Sequence, residues 1–443
     1  MRPLYFVLKF LLKITLWIYY PRFKNVNIPK KRFARTIYMS NHASSFMDPL
    51  VVAGTQRPII FFMTRSDIFT PMLKPILWAS HMFPIYRKHD GEDTKKKNEE
   101  VFKKCGRVLK YGRSLLVFSE GFTDDVFVRR LKPVKKGAIR IGFLALESNN
   151  WRKKVFVQGV GVNYSDPKVL GSDCLVSNAT PVCLNDYKLE YDKDPNKTIH
   201  ELTLKLEQDI RDQITDIRNI DMTEFHENIM RLTRKGMSES DSDKSISLLN
   251  RWKYSKQLAD WFNVTKVEEC EGLMKLKTRL EQYFITLKEN RIEETPLYKV
   301  ISNKRKKATD IFYLFALAPI MILGLILNYL PYILIKRFVE KTFKRDVFWS
   351  SVKMLLGLVA VGLYNFILFF VVAKLFSLSF LLLLFVGLFL VTFSAVITLN
   401  WFKTLKLHKK MNKVEVMDPS IFSAICLERE SLLSEIHEQI PVA

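Results

Sequence analysis

Apolar residues are unevenly spread along this chain, and their spacing changes from one stretch to the next. Residues 1–20, MRPLYFVLKFLLKITLWIYY, are almost wholly apolar and aromatic, broken by Lys9 and Lys13. Two lysines four apart share one face of a helix. The stretch therefore predicts an interfacial or shallowly inserted membrane helix, with a helix packed on the following domain as the alternative. It has no small-residue cleavage site of the kind that ends a signal peptide. From residue 21 to about 235, short apolar runs alternate with helical spacing. Thr36–Ser40, Pro58–Met63, Phe83–Tyr86, Ser114–Ser119 and Lys154–Asn163 read as strands. Pro71–Met82, Asn98–Tyr111 and Ala138–Glu147 carry the 3.6-residue period of helices. Such alternation predicts an α/β domain with a mostly parallel sheet covered by helices.

The Ser/Asp-rich stretch 236–247 (GMSESDSDKSIS) reads as a polar linker. Residues 248–310 are charged, with helical spacing that suggests two or three helices. Three long apolar segments follow, 311–335, 352–373 and 378–402. A helical span needs about 20 apolar residues. The second and third meet this and are joined only by Lys374 to Ser377, which predicts a transmembrane hairpin over 352–402. The first contains Pro319, Asn328 and Pro331 and is the weaker span. Residues 403–443 form a tail. Basic clusters flank the apolar segments, at Lys304 to Lys307, Lys336 to Arg345 and Lys403 to Lys413. Positive charge favours the cytoplasmic side. A full span over 311–335 would put the middle cluster outside, so a re-entrant or interfacial first segment is favoured over three plain spans.

Composition narrows the classes. The 443 residues carry 69 Lys and Arg against 45 Asp and Glu, a net charge of +24, and 48% are hydrophobic. That apolar content excludes a disordered chain. Five scattered cysteines with no CxxC pair offer neither a disulfide scaffold nor a zinc signature. The charge suits nucleic acid or an anionic membrane surface. Basic clusters beside apolar segments favour the membrane, and no nucleic-acid-binding motif is present.

The residues able to do chemistry sit where predicted strands end. Asn41-His42-Ala43-Ser44-Ser45-Phe46-Met47-Asp48 follows the first strand of the α/β domain. A histidine there with a carboxylate close by can form a charge-oriented general base, although a His–Asp pair this close also reads as structural. Phe118-Ser119-Glu120-Gly121-Phe122-Thr123-Asp124-Asp125 follows another strand, and Lys132-Pro133-Val134-Lys135-Lys136-Gly137 opens a helix, a ready anion site. Phe83 to Arg87 is a strand ending in arginine. Ligands of α/β sheets lie outside the carboxyl ends of strands, so His42, Arg87 and Glu120 are expected at one mouth.

These four blocks, in this order, resemble those of the glycerolipid acyltransferases, the family of glycerol-3-phosphate and lysophosphatidate acyltransferases. The blocks are Asn41-His42…Asp48, Phe83 to Arg87, Phe118-Ser119-Glu120-Gly121, and Gln158-Gly159-Val160-Gly161-Val162-Asn163-Tyr164, and the likeness covers residues 35 to 180. Three departures stand out. Five residues, not the commoner four, separate His42 from Asp48. Ser119 stands where proline is usual. Phe122-Thr123 replaces the usual Arg-Ser. The five-residue spacing and the ending at Asp125 are similar to the subgroup acting on glycerol-3-phosphate or dihydroxyacetone phosphate, which also carries C-terminal membrane segments.

The resemblance implies an integral membrane O-acyltransferase, with its catalytic domain on the cytoplasmic face and membrane lipids around it. It would move an acyl group from acyl-CoA or an acyl carrier protein to glycerol-3-phosphate, with no further cofactor, no metal and no nucleic acid. His42 would take the hydroxyl proton and Asp48 would orient it. Arg87 is the first choice for the acceptor phosphate, because a guanidinium binds phosphate in a bidentate way; a surface salt bridge is the alternative. Lys132 or Lys135 comes next, with a solvated face as the alternative. Glu120 and Gly121 would shape the acceptor site, and Asp125 would hold an acceptor hydroxyl or cap a loop. Asn41, Ser45 and Thr123 complete the expected substrate-binding set. Three other readings compete: a lysophosphatidate or other lysolipid acyltransferase, a non-catalytic membrane adaptor, and a thioester hydrolase. The hydrolase lacks a G-x-S-x-G elbow.

Overall fold

The computed structural model describes residues 2–56, 59–71, 74–86, 94–121, 123–124, 126–302, 308–373 and 402–442. They form two compact units. The first comprises residues 1–223 and 247–263, and the second residues 224–246 and 264–443.

The first unit is built on an eight-stranded sheet. Its strands are β1 (Arg22–Val26), β2 (Thr36–Ser40), β3 (Ile60–Arg65), β4 (Met82–Ile85), β5 (Ser114–Val117), β6 (Phe156–Tyr164), β7 (Asp173–Asn178) and β8 (Val182–Cys183). The order is β1-β7-β6-β2-β5-β3-β4, with β8 paired to β6. Every pairing is parallel except those of β6 with β7 and β8. This is the expected mostly parallel sheet covered by helices. The helices are α1 (Arg2–Tyr19), α2 (Met47–Thr55), α3 (Lys74–Ala79), α4 (Thr94–Lys110), α5 (Gly137–Glu147), α6 (Lys188–Lys193) and α7 (Pro195–Arg211). Central strands β2 and β5 are buried along their whole length, as their unbroken apolar runs require. On one face Ile37, Met39, Leu115, Val117 and Val157 meet Cys105 and Leu109 of α4, Ile139 and Phe143 of α5, and Leu206 and Ile210 of α7 in one core. Helix α7 begins where Asp194 accepts from the Asn196 and Lys197 amides with Pro195 in its first turn.

Several boundaries differ from the sequence reading. Strand β3 starts two residues later than expected, α4 starts four residues earlier, and α3 is shorter. Strands β1 and β7 were not foreseen, because RFKNV and DCLVSN carry polar residues that read as loop. Their polarity is matched inside the fold. Asp173, with no exposed side-chain surface, accepts from Arg22 Nε at 2.5 Å on one oxygen and from Arg251 NH1 at 2.5 Å on the other. Arg251 is itself fully buried, on α9 (Leu248–Val264). That helix packs as part of the first unit, although it lies beyond the expected boundary at 235.

Helix α1 packs on the first unit along one face, as the alternative reading has it. Tyr5 and Leu16 are buried, Lys9 Nζ donates to the Gln56 carbonyl at 2.6 Å, and the Tyr5 hydroxyl accepts from the Ile60 amide at 3.1 Å. Phe6, Phe10 and Trp17 remain more than half exposed. One face is therefore packed on the domain and another is an open aromatic stripe.

The second unit is helical. It contains α8 (Thr223–Thr233), α10 (Glu271–Glu289), α11 (Glu294–Ile301), α12 (Ala308–Thr342), α13 (Trp349–Ala373) and a C-terminal helix, Pro419–Gln439. Buried Glu294 ties three of them together: it accepts from Tyr283 at 2.6 Å and from Arg429 Nε at 2.8 Å. The stretch 236–247, expected as a solvated linker, has Met237, Ser238, Asp241 and Ser242 buried. Its polar groups are satisfied locally. Asp241 accepts from Arg231 at 3.0 Å and Thr295 at 2.7 Å, and Ser242 donates to the Gly236 carbonyl at 2.9 Å. Composition alone does not separate a solvated polar run from one that folds onto its own hydrogen bonds.

The apolar segment 311–335 lies within one continuous 35-residue helix that runs through Pro319 and Pro331. It lacks the non-helical apex of a re-entrant loop, so the re-entrant reading is corrected to an unbroken helix. Among the described residues, Asp346–Val371 is long and apolar enough to cross a membrane. The third apolar segment, and with it the expected hairpin, lies outside the described residues, as do Lys304 to Lys307.

Removing one partner of a buried ion pair leaves the other charge stranded, at a cost of about 3–5 kcal/mol. Arg251→Ala leaves Asp173 with Arg22 alone and is expected to lower the first unit's stability by up to about that amount, read as an earlier denaturant midpoint in detergent. A loss under about 1 kcal/mol, the scale of a surface pair, would show that Asp173 finds other compensation.

Candidate active site

The site lies at the carboxyl edge of β2, β5 and β6, three neighbouring strands. Asn41, just beyond β2, uses its amide as a strand partner. It donates to the Val162 carbonyl at 3.0 Å and accepts from the Val162 amide at 2.8 Å. This extends the β2–β6 ladder by one step and fixes where His42 leaves the sheet. Ser45, buried and left-handed with φ of 45°, turns the loop into α2. Asp48 then falls in the first turn of that helix, followed by Pro49, which the first turn tolerates.

Asp48 has no exposed surface. His42 Nδ1 lies 2.9 Å from Asp48 Oδ2, and the Ser44 amide donates to the same oxygen at 2.8 Å. The Tyr164 hydroxyl donates to Oδ1 at 2.9 Å. An ionised carboxylate only accepts, so the facing Nδ1 carries the proton and the basic lone pair is on Nε2. The His42 ring stacks on Phe118, with centroids 4.3 Å apart and planes 21° from parallel. The imidazole is partly open, with 19% of its side chain exposed. A partly open imidazole on a fully buried carboxylate has the geometry with which a general base can act.

Glu120 comes from the end of β5 and is also buried. Its Oε1 accepts from the His42 amide at 2.7 Å, so β5 holds the backbone of the very residue that β2 delivers. Burial pushes the Glu120 carboxyl up to about 7, against the opposing pull of the His42 amide and of His42 and Lys132. Gly121 follows with φ of 85°, and a Cβ there would lie 2.4 Å from Lys135 Nζ. Only glycine fits this turn.

Glu120 also lines a cavity of about 660 Å³. Val126, Val128, Pro133 and Ile220 give it apolar walls, while Arg130, Lys132 and Lys135 bring positive charge. Lys132 is paired with Asp124 at 2.9 Å, and the Lys135 amide donates to the Ser119 carbonyl at 3.0 Å. The structure thus gathers His42, Asp48, Glu120, Gly121, Lys132 and Lys135 around one region. Thr123 is half-buried in the loop after Gly121. Asn41 is committed to β6 and Ser45 to the turn. Arg87 and Asp125 lie outside the described residues. Sequence reasoning missed Arg130, and it gave no role to Tyr164, the last residue of the fourth block. The adjacent Arg129-Arg130 pair in a basic stretch was the available signal for the first. A tyrosine closing an apolar strand, as Tyr164 does, reads as core. Among the described residues no group of three or more His, Cys, Asp or Glu is placed to hold a metal ion.

Residues 22–158, which carry every one of these strand ends but that of β6, match the family model described as Acyltransferase. The matched stretch lies within the first unit. Among solved structures, the chain is similar to the 1-acyl-sn-glycerophosphate (LPA) acyltransferase PlsC from Thermotoga maritima. The identity is 15% and the TM-score 0.33, over 47% of this chain and 79% of that one. No curated protein matches the chain.

A carboxyl raised from 4.5 to about 7 stabilises the fold below pH 4.5, and that contribution is lost as pH rises through 7. Glu120→Gln keeps an acceptor for the His42 amide and removes the buried charge. The variant is expected to melt later than wild type at pH 8, by up to about 3 kcal/mol in stability, and to match it near pH 4.5. Equal melting at both pH values would show that Glu120 carries no burial penalty.

Proposed function

We propose that this protein transfers a fatty acyl group from an acyl thioester, of coenzyme A or an acyl carrier protein, to a hydroxyl of glycerol-3-phosphate. Dihydroxyacetone phosphate is the related acceptor, and lysophosphatidate the product from glycerol-3-phosphate. The observation that carries the reading is the His42–Asp48 contact, set at the carboxyl edge of the sheet with Nε2 unencumbered by Asp48.

In this reading His42 Nε2 accepts the acceptor's hydroxyl proton as the oxygen attacks the thioester carbon. Asp48 stabilises the imidazolium that forms. The carbon–sulfur bond then breaks, and the proton passes to the departing thiolate. An ester and a free thiol result, with no enzyme nucleophile consumed. General-base assistance of this kind contributes about 10²–10⁴-fold, and holding both substrates together adds to it. Lys135 and Arg130, and Lys132 once released from Asp124, supply positive charge for the acceptor phosphate, with Arg87 as a further candidate.

A second acceptor is favoured by a specific feature. The walls formed by Val126, Val128, Pro133 and Ile220 suit an acceptor that already carries an acyl chain, such as lysophosphatidate. Membrane attachment fits either acceptor, because an acyl chain gains about 0.8 kcal/mol per buried CH₂ in lipid. Helix α13 and the exposed aromatic stripe of α1 support an integral membrane protein, and the basic clusters favour a cytoplasmic catalytic unit.

Membranes bearing wild type or His42→Ala, supplied with an acyl thioester and labelled acceptor, test the reading by label entering the lipid phase. Glycerol-3-phosphate is expected to be acylated, with His42→Ala reduced by about 10²-fold or more. Acylation of lysophosphatidate alone would move the assignment to the second acceptor. A fully active His42→Ala, or no reaction with either acceptor, would overturn the mechanism. Lys135→Ala is expected to raise the acceptor KM about tenfold, the loss of one charge-assisted contact, and to leave the donor KM in place.

A further inference from the structure

We propose that Tyr164 is a positioning residue of the His42–Asp48 dyad, holding one oxygen of the Asp48 carboxylate so that the other is committed to His42. The inference rests on the proposed dyad and assigns a third residue to it.

The geometry divides the carboxylate in two. Oδ2 takes the His42 Nδ1 contact at 2.9 Å and the Ser44 amide at 2.8 Å, while Oδ1 takes the Tyr164 hydroxyl at 2.9 Å. Asp48 rises from α2 and Tyr164 ends β6, so the hydrogen bond ties the helix that bears the carboxylate to the strand beside β2. Rotation of the carboxylate about its own axis would exchange the two oxygens, and the tyrosine opposes it.

Tyr164 is itself held on several sides. Arg129 NH1 donates to the Tyr164 carbonyl at 2.7 Å, and NH2 to the Ser165 carbonyl at 3.2 Å. The Tyr20 ring lies 5.6 Å from the Tyr164 ring. The Tyr20 hydroxyl donates to the Pro167 carbonyl at 3.2 Å, and Tyr19 donates to Lys168 at 3.0 Å. The end of α1 thus braces the strand end that braces the dyad.

The titratable groups facing Tyr164 are Asp48 on α2, Tyr20 after α1 and Cys174 on β7. Beyond Asp48 stand His42 and Glu120 on the loops after β2 and β5. Burial first, and then the Asp48 charge, raise the Tyr164 phenol well above its ordinary range. The hydroxyl is therefore a neutral donor throughout the working pH range.

Tyr164→Phe removes the hydroxyl and keeps the ring. Without that donor the Asp48 charge is less satisfied, so the carboxylate binds a proton more readily and draws one more strongly onto His42. Both effects move the acid limb of the kcat/KM profile to higher pH. The expected result is also a fall in kcat of about 10- to 100-fold, within the ~10²–10⁴-fold of general-base assistance, with both KM values little changed. Tyr20→Phe is the control, since it loses an equally buried hydroxyl that does not touch Asp48. Its acid limb is expected where the wild type has it. A Tyr164→Phe enzyme with wild-type kcat and acid limb, beside an inactive His42→Ala, would overturn the proposal and leave the dyad standing. So would a shift shared equally by Tyr20→Phe, which would mark a packing effect. An active His42→Ala would overturn the dyad and the proposal together.

Discussion

A buried carboxylate is the constraint around which the first unit is arranged. Asp48 is wholly removed from water, and an isolated charge in that position costs several kcal/mol. The structure answers with donors from separate elements: the imidazole at the end of β2, the Ser44 amide in the following turn, and the Tyr164 hydroxyl at the end of β6. None of these comes from α2 itself. The carboxylate is satisfied only when β2 and β6 are paired in register and α2 is docked across them. Asn41 enforces that register by bonding both polar groups of the Val162 backbone. The chemistry proposed for His42 and the assembly of the sheet thus depend on the same few hydrogen bonds.

Glu120 repeats the logic with a different outcome. It reaches the same loop from β5 and takes the His42 amide, but its burial is not matched by enough donors to hold the carboxyl in its usual range. Asp48 is anchored on both oxygens, by His42 and the Ser44 amide on one and by Tyr164 on the other, whereas Glu120 lines an open cavity. Two acids within one loop's reach therefore sit in different environments. One is a fully hydrogen-bonded charge behind the imidazole, and the other is a carboxyl on a cavity wall whose protonation responds to its surroundings.

The parts of this architecture that were legible in the sequence share a physical cause. Strands β2, β5 and β6 are buried on both faces, so they read as mostly apolar runs. The residues just beyond them are conspicuous because His42, Asp48 and Glu120 interrupt that apolarity. Strands β1 and β7 were not legible. Their arginine, lysine and aspartate look like surface, and the burial of Asp173 becomes intelligible only through Arg22 and Arg251, 151 and 78 positions away in the chain. The stretch 236–247 failed for a related reason, since its serines and aspartates satisfy one another and their own backbone. Tyr164 shows the opposite error. A tyrosine closing an apolar strand passes for core, and its hydroxyl acquires meaning only once the fold places Asp48 beside it.

The position of α1 joins the site to the proposed membrane setting. Its buried face meets the start of β3 through Tyr5, the end of α2 through Lys9, and Gly54 of α2 through Leu16, so closely that a Cβ on Gly54 would lie 2.8 Å from Leu16. Its last residue, Tyr19, and Tyr20 just after it hold the loop after β6. The helix that carries Asp48 and the strand that ends at Tyr164 are therefore both fastened to α1. The neighbouring face, one residue further round the helix, shows Phe6, Phe10 and Trp17 to solvent, a stripe suited to the interfacial region of a bilayer. A bilayer engaged by that stripe meets a dyad whose orientation relative to it is already set by packing within the first unit. Under the proposed function this relation matters more than tight anchoring. Anchoring can be supplied by any apolar helix, whereas the placement of the dyad relative to the stripe follows from the packing of α1 on α2 and on the loop after β6.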